Sequence, residues 1–111
     1  METAASTISQ SLAEEIVQRI LSVAKPDRII LFGSAATGRM TRDSDIDLLV
    51  VEAEPGSLRS ESQRLHEALR GLGYPFDVVI VSTTWFEESK NVIGGIAYPA
   101  NKYGKVLYEA A

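Results

Sequence analysis

Two stretches of the chain place apolar residues at the spacing of an amphipathic α-helix, with polar residues on the opposite side. The stretches cover residues 9–25 and 57–72; Pro26 follows the first, and Gly73 ends the second. Their apolar positions are Leu12, Ile16, Ile20 and Val23 in the first stretch, and Leu58, Leu65, Ala68, Leu69 and Leu72 in the second. The pattern predicts two helices that each bury one side against a core.

Three short runs that are apolar almost throughout predict buried β-strands, at residues 29–32, 45–51 and 76–81. Gly33 ends the first run, and the segment 54–56 (Glu-Pro-Gly) ends the second. Ser34 can cap one short helical turn that ends at about Gly38, which predicts a tight strand-to-helix turn directly after the first strand.

The last third of the chain predicts smaller elements. A short helix is expected from Thr83 or Thr84 to about Lys90, and residues 91–103 are expected to be helical in part. Residues 105–108 predict a final edge strand. The order of helices and strands predicts the α+β class, a small mixed β-sheet packed against helices.

Composition narrows the function classes. A chain of 111 residues with 45% hydrophobic residues predicts one domain with a real core, covering residues 1–111. The absence of cysteine excludes a disulfide framework and thiolate metal centres, and a single histidine, His66, excludes a histidine-rich metal site. A net charge of −4 argues against a nucleic-acid acceptor. Without an apolar run of about 20 residues or a signal-peptide pattern, a cytoplasmic protein without a membrane span is expected.

The most informative segment holds two aspartates at strand spacing. Asp45 and Asp47 begin the second predicted strand, so both side chains are expected on one face, about 6.5–7 Å apart. Two carboxylates on one face repel each other unless a cation lies between them. Oxygen ligands favour a hard ion, Mg²⁺ or Mn²⁺.

A third carboxylate and a glycine-serine turn complete this pattern. Asp77 begins the next apolar strand and can join Asp45 and Asp47 if the two strands are neighbours; three carboxylates can hold two metal ions about 3.5–4 Å apart. Gly33 permits close approach of the backbone to a ligand, and Ser34 with the free N–H groups of a helix start can bind phosphate. Taken alone, Asp77 is also compatible with an acid that protects a sheet edge from aggregation, although the pattern favours the functional role.

These residues resemble the signature of the polymerase-β-like nucleotidyltransferases. The segment Leu31 to Gly38 contains Gly-Ser, and Asp43 to Val50 contains Asp-x-Asp after a spacer of ten residues. Asp77 stands in the place of the family's third acid on a later strand. The short chain and its last residues, 104–109, resemble the minimal nucleotidyltransferase (MNT) branch in particular. The resemblance covers nearly the whole chain and implies the nucleotidyltransferase fold, which is similar to a polymerase-β palm.

The resemblance also implies a role for each of these residues. Asp45 and Asp47 match the carboxylates that bind two Mg²⁺ ions with the nucleoside triphosphate, and Asp77 matches the acid that helps to bind the catalytic ion and activate the attacking hydroxyl. Gly33 and Ser34 match the phosphate-binding positions. Many MNT chains carry arginines in the Gly-Ser loop, where this chain has alanine and threonine at positions 35 and 37. Arg39 and Arg42 of the following loop are therefore the candidates for further phosphate contacts.

Three functions are compatible with this resemblance. In the first, the chain transfers AMP from ATP to a hydroxyl of a protein partner, for which MNT similarity implies a helical HEPN toxin and an antitoxin role. In the second, the chain is an antitoxin that neutralises the HEPN protein by contact, with little or no catalysis. In the third, it is a free-standing transferase that acts on a small molecule. Four tyrosines, Tyr74, Tyr98, Tyr103 and Tyr108, can stack a base or contact a partner, and the sequence favours none of them.

Overall fold

Helices and strands alternate along the chain in the predicted order. The computed structural model of the protein describes residues 8–38 and 44–111. The helices are α1 (Gln10–Leu21), α2 (Ser34–Thr37), α3 (Leu58–Ala68), α4 (Thr83–Ser89) and α5 (Ala97–Tyr103). The strands are β1 (Arg28–Phe32), β2 (Ile46–Glu52), β3 (Phe76–Ser82) and β4 (Lys105–Glu109).

The four strands form one mixed sheet in the order β3-β2-β1-β4. β1 is antiparallel to both β2 and β4, whereas β2 and β3 are parallel. The parallel pair is joined through α3, because parallel neighbours need a long crossover connection. The predicted α+β class is confirmed, and β4 is an edge strand as the sequence indicated.

Each face of the sheet packs against a different set of helices. On one face, which we call the α1/α3 face, Leu48 and Val50 of β2 pack with Ile16 and Ile20 of α1 and Leu65 of α3. On the other, the α4/α5 face, the packed residues are Ile30, Leu49 and Val51 of the sheet, Phe86 of α4, and Ala97 and Ala100 of α5. Since side chains alternate between faces along a strand, this packing decides which way each polar residue of the sheet points.

The predicted helices are shortened at their ends. α1 stops at Leu21, and Val23, which the apolar pattern had assigned to the buried side, is 36% exposed. Ser22 is the C-cap residue, and its hydroxyl donates to the Arg19 carbonyl in the last turn. Leu58 lies in the first turn of α3 and is 53% exposed. Among the described residues, no helix is long and apolar enough to cross a membrane.

Two carboxylates are buried at the end of β2 that is remote from Asp47. Glu52 and Glu61 are 6% and 4% exposed, and Glu61 is ion-paired with Arg64. The Oε2 atom of Glu52 has no hydrogen-bond partner among the described residues. Burial raises the pKa of Glu52, and the charge of Arg64 opposes that shift. An ionised Glu52 therefore works against folding.

Replacing Glu52 with glutamine is expected to remove one source of pH dependence from the stability. A raised folded-state pKa makes the wild type lose stability as pH rises from about 4.5, the ordinary value for glutamate, through the folded value. Because glutamine does not titrate, Glu52→Gln should become increasingly stable relative to the wild type over that pH interval. Thermal unfolding between acid and neutral pH measures the difference, with the exposed Glu54→Gln as control. A stability difference that does not change with pH contradicts this account of Glu52.

Candidate functional site

Asp47 and Asp77 lie side by side on neighbouring strands. The register pairs Asp47 of β2 with Phe32 of β1 on one side and with Asp77 of β3 on the other. Asp47 shares its side of β2 with Leu49, and Asp77 shares its side of β3 with Val79, so both acids point to the α4/α5 face. The two strands are thus neighbours, as the predicted cluster of acids required, and their pairing is what brings the third acid to the first two.

Asp45 differs from the prediction in its local structure. The sequence placed it inside the strand, whereas β2 begins at Ile46 and Asp45 is the residue before it. The N–H of Ile46 donates to the Pro75 carbonyl at 2.9 Å, which ties the chain next to Asp45 to the segment that precedes β3. Ile46 is fully buried on the α1/α3 face, whereas Asp45 is exposed. Asp45 therefore lies at the open rim of the site.

The three acids act on one another electrostatically. Burial raises the pKa of Asp47, and the negative charges of Asp77 and then Asp45 raise it further. Asp47 is half-buried, whereas Asp77 is exposed. The half-buried acid thus stands in a field of like charge, which is the environment that a bound cation would relieve.

Gly33 lies directly against the Asp47 carboxylate. Its φ of +72° is in the left-handed region, and a Cβ atom on Gly33 would lie 2.2 Å from Asp47 Oδ2. Only glycine provides both this backbone conformation and this space. The sequence had assigned Gly33 to the approach of a ligand; the structure shows that it also makes room for an acid of the site.

Ser34 is not the cap of α2, as the sequence had suggested. Gly33 takes the N-cap position and Ser34 is the first helical residue, because the carbonyl of Gly33 already accepts from the N–H groups of Ala36 and Thr37 at 3.1 and 3.2 Å. Within the described residues, the N–H groups of Ser34 and Ala35 therefore have no main-chain acceptor. They are the donors that the end of β1 leaves available beside Asp47.

The arrangement fits a metal ion that is bound together with a substrate better than a preformed metal centre. Among residues 8–38 and 44–111, no three acids or histidines are gathered closely enough to hold an ion by themselves. Mg²⁺ commonly takes one or two carboxylates and completes its coordination with substrate phosphates and water. The like charge around Asp47 and the N–H donors next to it match that mode of binding.

The remaining points concern two arginines, one histidine and the alternative role of Asp77. Arg39 and Arg42, which the sequence proposed for phosphate contacts, lie outside the described residues. His66 is exposed on α3, where its Nδ1 is 2.9 Å from the Ser62 carbonyl, as expected for a helix-surface residue. β3 is an edge strand, so the edge-protecting role of Asp77 remains compatible with its position.

Comparison with known proteins identifies the family. The family model described as "Nucleotidyltransferase domain" matches residues 11–98, which include both strands that carry the acids and the turn at Gly33. This chain belongs to the nucleotidyltransferase domain family. This is the family that the Gly-Ser and Asp-x-Asp pattern predicted. The matched residues extend from α1 into α5.

Individual relatives agree with this assignment. A Methanocaldococcus jannaschii protein named "Putative protein adenylyltransferase MJ0141" is 31% identical over 75 residues, which cover 60% of this chain and 75% of the relative. A solved toxin–antitoxin structure with AMP-PNP has a TM-score of 0.65 and 22% identity, covering 88% of this chain and 73% of the other. A complex of tri-AMPylated Shewanella oneidensis HEPN toxin with MNT antitoxin has a TM-score of 0.57 and 21% identity, with coverages of 92% and 74%. These structures share the fold of this nucleotidyltransferase-family chain.

Proposed function

We propose that this protein is a Mg²⁺-dependent nucleotidyltransferase that transfers AMP from ATP to a hydroxyl group of a protein partner. The observation that carries the proposal is the lateral pairing of Asp47 with Asp77, with Gly33 held against the Asp47 carboxylate. The two core clusters share one sheet, which supports treating residues 1–111 as a single catalytic domain.

In the proposed reaction each residue has a separate task. Asp45 and Asp47 hold the metal ions together with the triphosphate, and the N–H groups of Ser34 and Ala35 donate to phosphate oxygens. When bound, Mg²⁺ supplies neutralisation of phosphate charge and a lower cost of deprotonating the acceptor. The acceptor oxygen bonds to the α-phosphorus while the bond to the β-phosphate side breaks and pyrophosphate leaves. Asp77, exposed next to Asp47, takes the proton of the hydroxyl.

The proposed partner is a HEPN-type toxin, which makes this chain the antitoxin of a two-protein module. The M. jannaschii relative is named for protein adenylylation, and a structural neighbour is an MNT antitoxin bound to an AMPylated HEPN toxin. In addition, the acids lie on an open rim where Asp45 and Asp77 are exposed, so a large acceptor can reach them. The reaction is proposed to take place in the cytoplasm, where ATP is available.

Labelling of the partner tests this function. The full chain is incubated with Mg²⁺, ATP labelled in its α-phosphate, and the HEPN-type protein proposed as its partner. We expect label on the HEPN protein, at least about 100-fold less label with Asp45→Asn, and none after Mg²⁺ is chelated. Glu54→Gln, an exposed acid away from the site, is the matched control and should label normally. Equal labelling by Asp45→Asn and wild type contradicts the proposed role of the acids.

A second candidate is neutralisation of the HEPN protein by contact, with catalysis weak or absent. The observation that favours it is that α2 and its N-cap carry no basic residue that can bind a triphosphate. The same preparations separate the two functions, because toxin inhibition can be measured beside labelling. If Asp45→Asn inhibits the toxin as well as the wild type does, contact is sufficient and adenylylation is not the means of neutralisation. Label recovered on a small molecule instead would support the free-standing transferase.

A further inference from the structure

The two edges of the sheet differ in how well they are protected against pairing with another chain. The edge strands are β3 and β4, and among the described residues no strand pairs with the outer side of either. β4 has five residues, begins with Lys105 and ends with Glu109, and its register on β1 shifts between Ile29 and Ile30. Short length, charged residues and a bulge are common means of protecting an edge strand. The β4 edge therefore has the features of a protected edge.

The β3 edge lacks most of these features. β3 has seven residues, and its register on β2 continues without a shift from Phe76 to Ser82. Asp77 is its only charged residue, and it contains no proline. Residues 78–81, which follow Asp77, are Val-Val-Ile-Val, and each of them is half-buried rather than buried. A long apolar edge of this kind is a template for an additional strand.

The register shows which main-chain groups of β3 face this open edge. Ile46 of β2 pairs with Phe76, and its N–H donates to the carbonyl of the preceding residue, Pro75. In a parallel ladder that contains this bond, every second residue of β3 bonds to β2, beginning with Asp77. The N–H and carbonyl groups of Val78 and Ile80 therefore point away from β2, where a further strand could bond to them.

A strand added at this edge would bring one of its side chains to the acids. Asp77 lies on the edge strand itself, is exposed, and pairs with Asp47 on its inner side. Residues that pair across neighbouring strands point to the same face, with Cβ atoms about 4.5–5.5 Å apart. The residue of an added strand that pairs with Asp77 would thus share the α4/α5 face with both acids. Its hydroxyl, if it has one, would lie within reach of the Asp77 carboxylate.

We propose that the acceptor protein binds through an extended segment that adds to β3 as a fifth strand, with its hydroxyl residue beside Asp77. This inference rests on the proposed function, since it names how the acceptor reaches the same site. The segment carries a hydroxyl residue opposite Asp77 and apolar residues opposite positions 78–81, where half-buried valine and isoleucine side chains await packing. In a helical partner such a segment is a loop or a terminus. The hydroxyl proton passes to Asp77 as the oxygen bonds to the α-phosphorus and pyrophosphate leaves.

Residue-resolved amide hydrogen exchange of the full chain, with and without the HEPN-type protein, tests this mode of binding. The N–H groups of Val78 and Ile80 should exchange at least about tenfold more slowly in the complex, because the added strand accepts from them. The N–H groups of Asp77 and Val79, which already bond to β2, should change less. The N–H groups of β4 should not change, so the two edges serve as a matched comparison within one sample.

Substitution at Ile80 tests the same edge by activity. Proline is tolerated at an edge where the N–H faces outward, so Ile80→Pro should fold and lack one donor for the added strand. We expect it to raise the partner concentration for half-maximal labelling about tenfold, the effect of a lost main-chain hydrogen bond, with little change in the maximal rate. Ile80→Ala is the matched control, because it loses the same packing in the core but keeps the N–H. It should label at partner concentrations close to those of the wild type.

Several results would overturn the inference: unchanged exchange at Val78 and Ile80 in a complex that forms, slower exchange at β4 instead, or equal labelling defects in Ile80→Pro and Ile80→Ala. Slower exchange at Val78 and Ile80 in the chain alone, increasing with its concentration, would show that a second copy covers this edge. Labelling of the partner that depends on Asp45 without these changes in exchange would contradict the β3 edge alone and leave the proposed function standing. A partner that neither binds nor receives label would contradict both.

Discussion

Replacing Gly33 with alanine is expected to reduce nucleotidyl transfer about 100-fold or more and to destabilise the fold. The new Cβ atom would lie 2.2 Å from Asp47 Oδ2, so the carboxylate must move out of its position. Misplacement of a catalytic group by about 1 Å is enough for a 100-fold loss. The backbone conformation of Gly33, with φ +72° and ψ −150°, adds a cost of about 1–3 kcal/mol for any residue with a Cβ. Label transfer and thermal unfolding measure the two effects separately.

Gly56→Ala is the matched control for this substitution. Gly56 has a similar φ of +67°, but a Cβ atom there would meet nothing within 4 Å. It should share the backbone cost and the loss of thermal stability without a loss of transfer rate. If Gly33→Ala transfers label normally, or if Gly56→Ala loses transfer to the same extent, the contact between Gly33 and Asp47 is not what the site requires.

Replacing Asp47 with asparagine is expected to stabilise the fold while it removes activity. We expect transfer to fall about 1000-fold, because metal-assisted stabilisation of the transition state is commonly worth several kcal/mol. We also expect Mg²⁺ with ATP to raise the Tm of the wild type but not of the variant, since only a chain that binds the pair gains stability from it.

The stability gain of Asp47→Asn has a definite pH dependence. Burial and the neighbouring acids raise the pKa of Asp47 above 3.8, its ordinary value, so the charged form opposes folding. The stabilising contribution of the protonated acid is complete below about pH 3.8 and is lost as pH rises through the folded-state pKa. The variant should therefore be more stable than the wild type at pH 7, with the advantage disappearing in acid.

The variant Glu52→Gln separates the effect of a raised pKa on stability from the effect on label transfer. Glu52 lies at the other end of the same strand and also has a raised pKa through burial, but it has no place in the proposed reaction. It should show a similar pH dependence of stability and normal label transfer. If Asp47→Asn is less stable than the wild type at pH 7, the acids do not repel one another as described. If it transfers label at a near wild-type rate, Asp47 does not have the proposed role.

Local patterns were sufficient for most of the fold. The runs that begin at Ile29, Asp45 and Phe76 each became a strand within one residue of the expected start. The α+β class followed, because short strands that alternate with amphipathic helices have few ways to bury their apolar sides. The ends of the helices were less predictable: Val23 has a suitable apolar side chain, but α1 stops at Leu21 with Ser22 as its C-cap.

Describing the candidate site required both the local sequence pattern and the tertiary structure. The Gly-Ser and Asp-x-Asp spacing identified Gly33, Asp45 and Asp47 because that information is local, and the predicted family was confirmed. The contact of Gly33 with Asp47 Oδ2 could not be found in the same way, since it requires the pairing of β1 with β2.

The sequence by itself therefore determined the order of the elements and the class of the fold, and it named the acids that we propose to bind a metal with phosphate. Apolar periodicity and short-range spacing encode these features, and both are properties of neighbouring residues. Only the tertiary structure decided that Asp77 lies beside Asp47 and that Gly33 must lack a side chain. Each of these depends on contacts between segments that are distant along the chain, and strand register and helix packing fix such contacts.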